Sequence, residues 1–297
     1  MSKLKLRGVM PPMITPFKGN GDVDYNGFAS NMEKWNDTGM SGYLVLGSNS
    51  ETAYLNEEEK LELIKIAAST RKPGKNLLVG SGMESLRETI TLTNKAAKLG
   101  CDAALVLTPS YYNANMTSEA MINFFTQLAD NSDIPILIYN VPKFTHINIK
   151  ADAVAVLSKH PNIIGMKDST GDIPQMATWK RIVLEDFNLL VGTASAWFPA
   201  LTLGVEGAIL ALAYSNPNEC VKVQEMFDSG DWKEARDIYQ RMFPVNSAVT
   251  ATYGIAGLKY VCDKLGFVGG AVRNPLLPLK EDAKAAIDEI LRKALVI

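Results

Sequence analysis

In the stretch Ile163-Ile164-Gly165-Met166-Lys167-Asp168-Ser169 an apolar run stops at a lysine and then turns polar. A short apolar run bounded by turn residues reads as a strand buried on both faces, so Lys167 stands where that strand leaves the core. Burial disfavours the charged form of an amine, and a neutral amine attacks a ketone to form a Schiff base. The plainer alternative is a lysine that snorkels from the strand end to solvent. Other apolar runs end in groups of related use: Ser48 and Asn49, then Thr108 followed by Tyr111 and Tyr112, then Tyr139. Hydroxyls, an amide and one amine suit carbonyl chemistry without a metal. Lys167 would condense with the keto group of a 2-oxo acid, with Tyr139 and Ser48 relaying protons and backbone N–H groups of the Ser48-Asn49 turn holding the carboxylate. Each also has a structural alternative: Tyr139 as a half-buried tyrosine bonded to a carbonyl, Ser48 and Asn49 as turn and cap residues, Tyr111 and Tyr112 as surface aromatics.

These groups need elements that bring them to one rim. Apolar runs at 8–17, 42–46, 77–80, 103–107, 134–139, the lysine stretch, 189–191 and 208–212 alternate with helical patterns. One helix is signalled by Phe28, Met32 and Trp35, the next by Asn56 as cap with Glu59 three residues on and Leu61, Ile64 and Ala68 on one face. A later one carries Met121, Phe124, Phe125, Leu128 and Ala129 as a single stripe. Eight strands, each followed by a helix, predict a (β/α)8 TIM barrel, whose active site lies at the C-terminal strand ends. Beyond residue 217 the pattern is helical only, with Trp232, Ala235, Ile238 and Tyr239 on one helix and Ile287, Ile290, Leu291, Ala294 and Leu295 on another. The expected division is therefore a barrel over 1–217 and a C-terminal helical extension over 218–297 packed on it.

Composition narrows the setting. The chain has 297 residues, 47% hydrophobic and 21% charged, with 30 basic against 32 acidic side chains. Nothing in that balance draws nucleic acid or a membrane surface. The start of the chain lacks an apolar segment behind its basic residues, and Cys101, Cys220 and Cys262 read as separate reduced core thiols. A cytoplasmic protein acting on small molecules is expected. His146 and His160 are not at ligand spacing, so no metal site is expected.

The stretches Gly47-Ser48-Asn49-Ser50-Glu51, Thr108-Pro109-Ser110-Tyr111-Tyr112, Tyr139-Asn140-Val141-Pro142 and Gly165-Met166-Lys167-Asp168-Ser169 resemble the motifs of the dihydrodipicolinate synthase / N-acetylneuraminate lyase family. The likeness runs from Gly8 to the segment 272–276. It implies an eight-stranded barrel with C-terminal helices, usually a homotetramer, with no cofactor beyond the covalent imine between Lys167 and pyruvate or another 2-oxo acid. By the same resemblance Tyr139 is the strand-five tyrosine and Ser48 the hydroxyl relay. Tyr111 matches the tyrosine inserted into the neighbouring subunit's site, with Tyr112 one residue away. Gly192 matches the glycine that approaches substrate and Ile209 the apolar contact on strand eight.

Departures from the family pattern shift the expected reaction. Dihydrodipicolinate synthases carry an arginine five residues after the strand-five tyrosine, binding the second substrate's carboxylate; Phe144 stands there and offers no guanidinium fork. Those synthases tend to have two threonines and a glycine where Ser48, Asn49 and Ser50 stand, and His146 replaces a usual glycine. The pairing of Ser48-Asn49 with Lys167-Asp168-Ser169 is more similar to 4-hydroxy-2-oxoglutarate aldolases and 2-keto-3-deoxy sugar acid aldolases, with Ser169 a candidate for the substrate's distal end. The expectation is a Schiff-base lyase cleaving a 4-hydroxy-2-oxo acid to pyruvate, or a related 2-oxo acid, and an aldehyde. A dihydrodipicolinate synthase or keto-deoxy acid dehydratase on the same imine is the alternative, and a catalytically silent barrel that binds a 2-oxo acid is a second.

Overall fold

The computed structural model describes residues 4–297. Its strands are β1 (Gly8–Met10), β2 (Gly42–Val45), β3 (Asn76–Gly80), β4 (Ala103–Leu107), β5 (Ile136–Asn140), β6 (Ile163–Asp168), β7 (Asn188–Val191) and β8 (Gly207–Ile209). All pair in parallel, in the order β1-β8-β7-β6-β5-β4-β3-β2. The remaining seam, between β1 and β2, is closed by a bridge from Pro12 to Leu44 and by backbone hydrogen bonds from Leu44 to Pro11 and from Met13 to Leu44. The result is a nearly closed TIM barrel with helices around it and at its C-terminal end.

Two expected strands come out shorter. The first ends at Met10 because Pro11 and Pro12 bring no N–H to a ladder. The eighth ends at Ile209, and Leu212 already opens the short helix Leu212–Ser215. The Asn56 cap is as predicted: its side chain accepts from the Glu59 N–H while the Glu59 carboxylate accepts from the Asn56 N–H, which satisfies two otherwise orphaned donors.

Side-chain alternation splits the core into two layers. Met10, Leu44, Leu78, Leu105, Leu137, Ile164, Leu190 and Ile209 fill the barrel interior, while their neighbours Val9, Tyr43, Val79, Val106, Ile138, Leu189 and Ala208 face the helices. Every strand is thus apolar on both faces, which is why the runs read as continuous rather than alternating. The three cysteines are free and buried. Burial pushes the Cys101 thiol up to about 12, far from the range of a reactive thiolate. Among the described residues no helix is long and apolar enough to cross a membrane.

After β8 the chain forms helices Pro217–Asp228 and Trp232–Ser247, a π-helical turn Ala248–Thr252, and helices Gly254–Lys264 and Glu281–Lys293. This part is fastened to the barrel by buried charge. Lys259 Nζ lies 2.6 Å from the Glu51 carboxylate, with both side chains buried, and donates to the Ala271 carbonyl at 2.5 Å. Burial pulls the Lys259 pKa down, against the upward pull of Glu51. The second Glu51 oxygen accepts from the Arg273 N–H at 2.8 Å. The Arg273 guanidinium grips Glu59 with two hydrogen bonds and caps the carbonyls of Gly21 and Tyr54.

Removing one member of a buried ion pair strands its partner's charge, whereas removing both does not. Lys259→Met is expected to lower the free energy of urea unfolding by about 3–5 kcal/mol. The double variant Glu51→Gln, Lys259→Met should regain most of that loss.

Candidate active site

The geometry begins with an irregularity in β6. Ile136 pairs with Ile163 but Leu137 with Gly165, so β6 holds one residue more than β5 over that step. Ile163 and Met166 face the helices while Ile164 faces the interior, a change of phase that a straight strand, with its period of two, does not allow. Without the bulge Lys167 would point into the helix layer. With it, Lys167 enters the interior beside its register partner Tyr139. Gly165 lets the chain do this: a Cβ there would lie 2.4 Å from the Asn188 carbonyl oxygen.

Lys167 is 4% exposed and Tyr139 6%. The amine sits 4.3 Å from the centre of the Tyr139 ring, and the Ser169 hydroxyl lies 3.5 Å from the phenol oxygen, the long limit of a hydrogen bond. Burial works to raise the Tyr139 pKa. The charge of Lys167, with hydrogen bonding from Ser169, Ser48 and Lys167, outweighs it and holds the phenol below its ordinary value. Such a phenol can hand a proton on and take it back.

Gly192 closes this group from β7. A Cβ there would fall 2.0 Å from the Ser169 hydroxyl and 2.8 Å from Lys167 Cε, so any side chain would displace the amine. The Gly192 N–H donates to the Asp168 carbonyl at 2.6 Å. On the other face of β6 the fully buried Asp168 carboxylate accepts from Asn140 Nδ2 at 2.8 Å and from the Thr170 hydroxyl at 2.5 Å. Asn140 in turn donates to Asn148 and accepts from the Ile149 N–H. Burial raises the Asp168 pKa, and the bonds from Thr170 and Asn140 pull the other way. The ends of β5 and β6 are thereby locked together behind the lysine.

Ser48 and Asn49 lie on a 3-10 turn, Ser48–Ser50, whose last hydroxyl bonds the Gly47 carbonyl at 2.6 Å. The turn ends on Glu51 in the left-handed conformation, and Glu51 is the carboxylate held by Lys259 and Arg273. One cavity of about 560 Å³ joins Ser48, Asn49, Tyr139, Lys167, Ser169, Gly192, Ile209 and Phe144. Tyr111 is not on its wall. That side chain is 78% exposed on the loop after β4, edge-on to Tyr112, with its N–H donated to the Glu84 carboxylate. Ser169, expected toward the far end of a substrate, stands beside the amine instead. His146 holds φ at 57°, a conformation that glycine adopts most easily.

The far wall carries no signal that the motifs or spacings announced. Lys143, Asn246, Val249, Thr250 and Ile255 complete the cavity, four of them from the C-terminal helices and the π-helical turn. A π turn inside a helical run is often placed at a functional site, but no residue pattern announces it. Lys143, between two noticed residues, was legible as a charge beside Phe144. Among the described residues no group of His, Cys, Asp and Glu is arranged to hold a metal ion.

A buried lysine beside a phenol, at the C-terminal mouth of an eight-stranded barrel, defines a Schiff-base enzyme of the class I aldolase type. The chain belongs to the dihydrodipicolinate synthetase family, whose model matches residues 5–294; these are lyases that bind pyruvate on a lysine imine and use no cofactor. Among curated relatives it is 32% identical to the 4-hydroxy-tetrahydrodipicolinate synthase of Methanothrix thermoacetophila, over 97% of this chain and 96% of that one. It is 35% identical to the protein of the same name in Methanoculleus marisnigri, over 97% and 98%. Among solved structures, a dihydrodipicolinate synthase of Bacillus anthracis superposes with a TM-score of 0.93 at 26% identity, over 98% of this chain and 99% of that one. The chloride-inhibited dihydrodipicolinate synthase of Acinetobacter baumannii, complexed with pyruvate, also gives 0.93 at 26% identity, over 99% and 100%.

In an ultraviolet difference titration one phenol should ionise below the ordinary tyrosine value of 10.0 and vanish in Tyr139→Phe. In Lys167→Met the largest lowering influence is gone while burial remains, so that phenol should ionise at higher pH than in the wild type. Gly192→Ala should cut imine formation about 100-fold through misplacement of the amine.

Proposed function

We propose that the protein is a Schiff-base aldolase that makes and breaks the bond between the methyl carbon of pyruvate and the carbonyl carbon of an aldehyde, cleaving 4-hydroxy-2-oxo acids in the retro direction. The observation that carries this reading is the buried Lys167 amine 4.3 Å from the Tyr139 ring, inside a cavity far larger than a three-carbon acid requires. In the condensing direction the neutral amine attacks C2 of pyruvate and the carbinolamine loses water to give the protonated imine. Loss of a C3 proton leaves the enamine, whose C3 attacks the aldehyde carbon. The new oxygen takes a proton, and water releases the 4-hydroxy-2-oxo acid and restores the amine. Tyr139 and Ser48 carry these protons, and N–H groups of the Ser48-Asn49 turn with the Ser169 hydroxyl hold the pyruvate carboxylate. Gly192 leaves the substrate room, and Ile209 and Phe144 provide apolar walls.

A second reading is that the protein is itself a 4-hydroxy-tetrahydrodipicolinate synthase, and the names of its relatives favour it. Phe144, where those synthases carry a carboxylate-binding arginine, favours the aldolase. The reading includes a homotetramer in which Tyr111, exposed in its own chain, completes the neighbour's proton relay.

Borohydride reduction with pyruvate should leave a pyruvate-sized adduct on Lys167 by peptide mass and none in Lys167→Ala. Tyr139→Phe should keep binding pyruvate but lose about 10²–10⁴ in kcat. If the protein condenses pyruvate with aspartate semialdehyde far faster than it cleaves any 4-hydroxy-2-oxo acid, the synthase reading stands instead. Sedimentation that finds a monomer, with Tyr111→Phe fully active, would remove the tetramer.

A further inference from the structure

We propose that Asp168 is a positioning residue for imine formation: its carboxylate is the end point of a closed circuit of side-chain hydrogen bonds, and that circuit fixes where Lys167 and Ser169 stand on either side of it. The inference rests on the imine chemistry of Lys167 and holds for the aldolase and the synthase reading alike.

The circuit has five members. Asn140 Nδ2 donates to Asp168 Oδ1 and to Asn148 Oδ1, each at 2.8 Å. Asn148 Nδ2 donates to Gln175 Oε1 at 2.7 Å, Gln175 Nε2 to the Thr170 hydroxyl at 3.4 Å, and that hydroxyl to Asp168 Oδ2 at 2.5 Å. The direction of each hydrogen is set by backbone groups at the ends. The Ile149 N–H donates to Asn140 Oδ1 at 3.0 Å, which turns the Asn140 amide so that its two N–H donors face Asp168 and Asn148. The Thr170 oxygen accepts from the Asp172 N–H at 3.1 Å as well as from Gln175, so its own hydrogen goes to Asp168. A short arm and a long arm therefore both run from Asn140 to Asp168, which accepts from each and donates to neither. Only an ionised carboxylate is acceptor on both oxygens. An amide in its place turns a donor on Asn140 or on Thr170.

Asp168 lies between the two residues of β6 and its extension that stand at the reacting end of the cavity. Successive side chains point to opposite faces, so a residue held on one face fixes the directions of its neighbours on the other. Asn140 and Asp168 are fully buried register partners, and the Ser169 N–H donates to the Asn140 carbonyl at 3.0 Å. The Asp168 carbonyl accepts from the Gly192 N–H at 2.6 Å. One residue is thus tied to β5 by its side chain and to the start of the loop after β7 by its main chain. A buried carboxylate answered by neutral donors is a costly way to join two strands. Its bonds are directional, however, and attack on a carbonyl loses about 100-fold when the nucleophile is displaced by about 1 Å.

The test compares Asp168→Asn, Asn140→Asp and the exchanged pair Asn140→Asp, Asp168→Asn in the full-length protein. The first brings a donor where only acceptors fit, and the second sets two carboxylates face to face. The exchange sets one donor against one acceptor again, with the hydrogen running the other way, and leaves the Ile149 N–H its acceptor. Borohydride trapping at saturating pyruvate should show imine formation on Lys167 slowed about 10–100-fold in each single variant, with most of the loss recovered in the exchange. The Tyr139 phenol, held below its ordinary value by the Lys167 charge, should titrate at higher pH in the single variants, because the amine has left its place over the ring, and should return in the exchange. A role in stability alone would shift the unfolding transition and leave both readouts of the folded protein unchanged. Unaltered imine rates and phenol titration in a folded Asp168→Asn overturn the proposal, and so does an exchange variant no better than Asn140→Asp. If Asp168→Asn does not fold, Thr170→Val takes one donor from the circuit at an exposed position and carries the same test: a slowed imine rate supports the role and an unchanged one overturns it. A wild type that traps no pyruvate on Lys167 counts against the imine chemistry itself.

Discussion

The buried contact between Lys259 and Glu51 is the constraint on which the working end of this molecule depends. An ammonium and a carboxylate out of water are tolerable only together and only when their remaining hydrogen-bonding capacity is met. Here the amine also donates to the Ala271 carbonyl and the second carboxylate oxygen accepts from the Arg273 N–H, residues more than 200 positions from Glu51 along the chain. Glu51 is the last residue of the turn that carries Ser48 and Asn49. The C-terminal helices are therefore part of the site's foundation as well as its far wall. A barrel without them would leave a naked carboxylate under the Ser48–Ser50 turn.

The near and far halves of the cavity differ in kind. Around Lys167 the groups are polar, crowded and held by strands, with Gly192 present because no larger residue fits. Chemistry at one carbonyl needs that accuracy. The far half is built from helix ends and a π turn, mixes apolar and hydroxyl side chains, and leaves space.

How much of this could be read in advance follows from what each feature depends on. Lys167, Tyr139 and Ser48 were legible because strand ends in a parallel barrel converge by topology alone, and the Asn56 cap because its signal lies within four residues. Features that depend on two distant segments were not: the grip of Arg273 on Glu59, the docking of Lys143 on Thr250, the placement of residues 246–256 over the mouth. Proline chemistry shortened the first strand, a rule available in the sequence. Tyr111 shows the reverse case, a residue singled out by motif that its own chain leaves in solvent. The bulge in β6 was invisible because an apolar run carries no mark of its phase.

That bulge decides which side chain meets which surroundings: Lys167 in the cavity, Asp168 in a hydrogen-bonded cluster on the other face. The backbone bearing the amine is anchored from behind through its own neighbour. In the proposed imine chemistry the change of shape falls on the four flexible methylenes of the lysine side chain rather than on the strand.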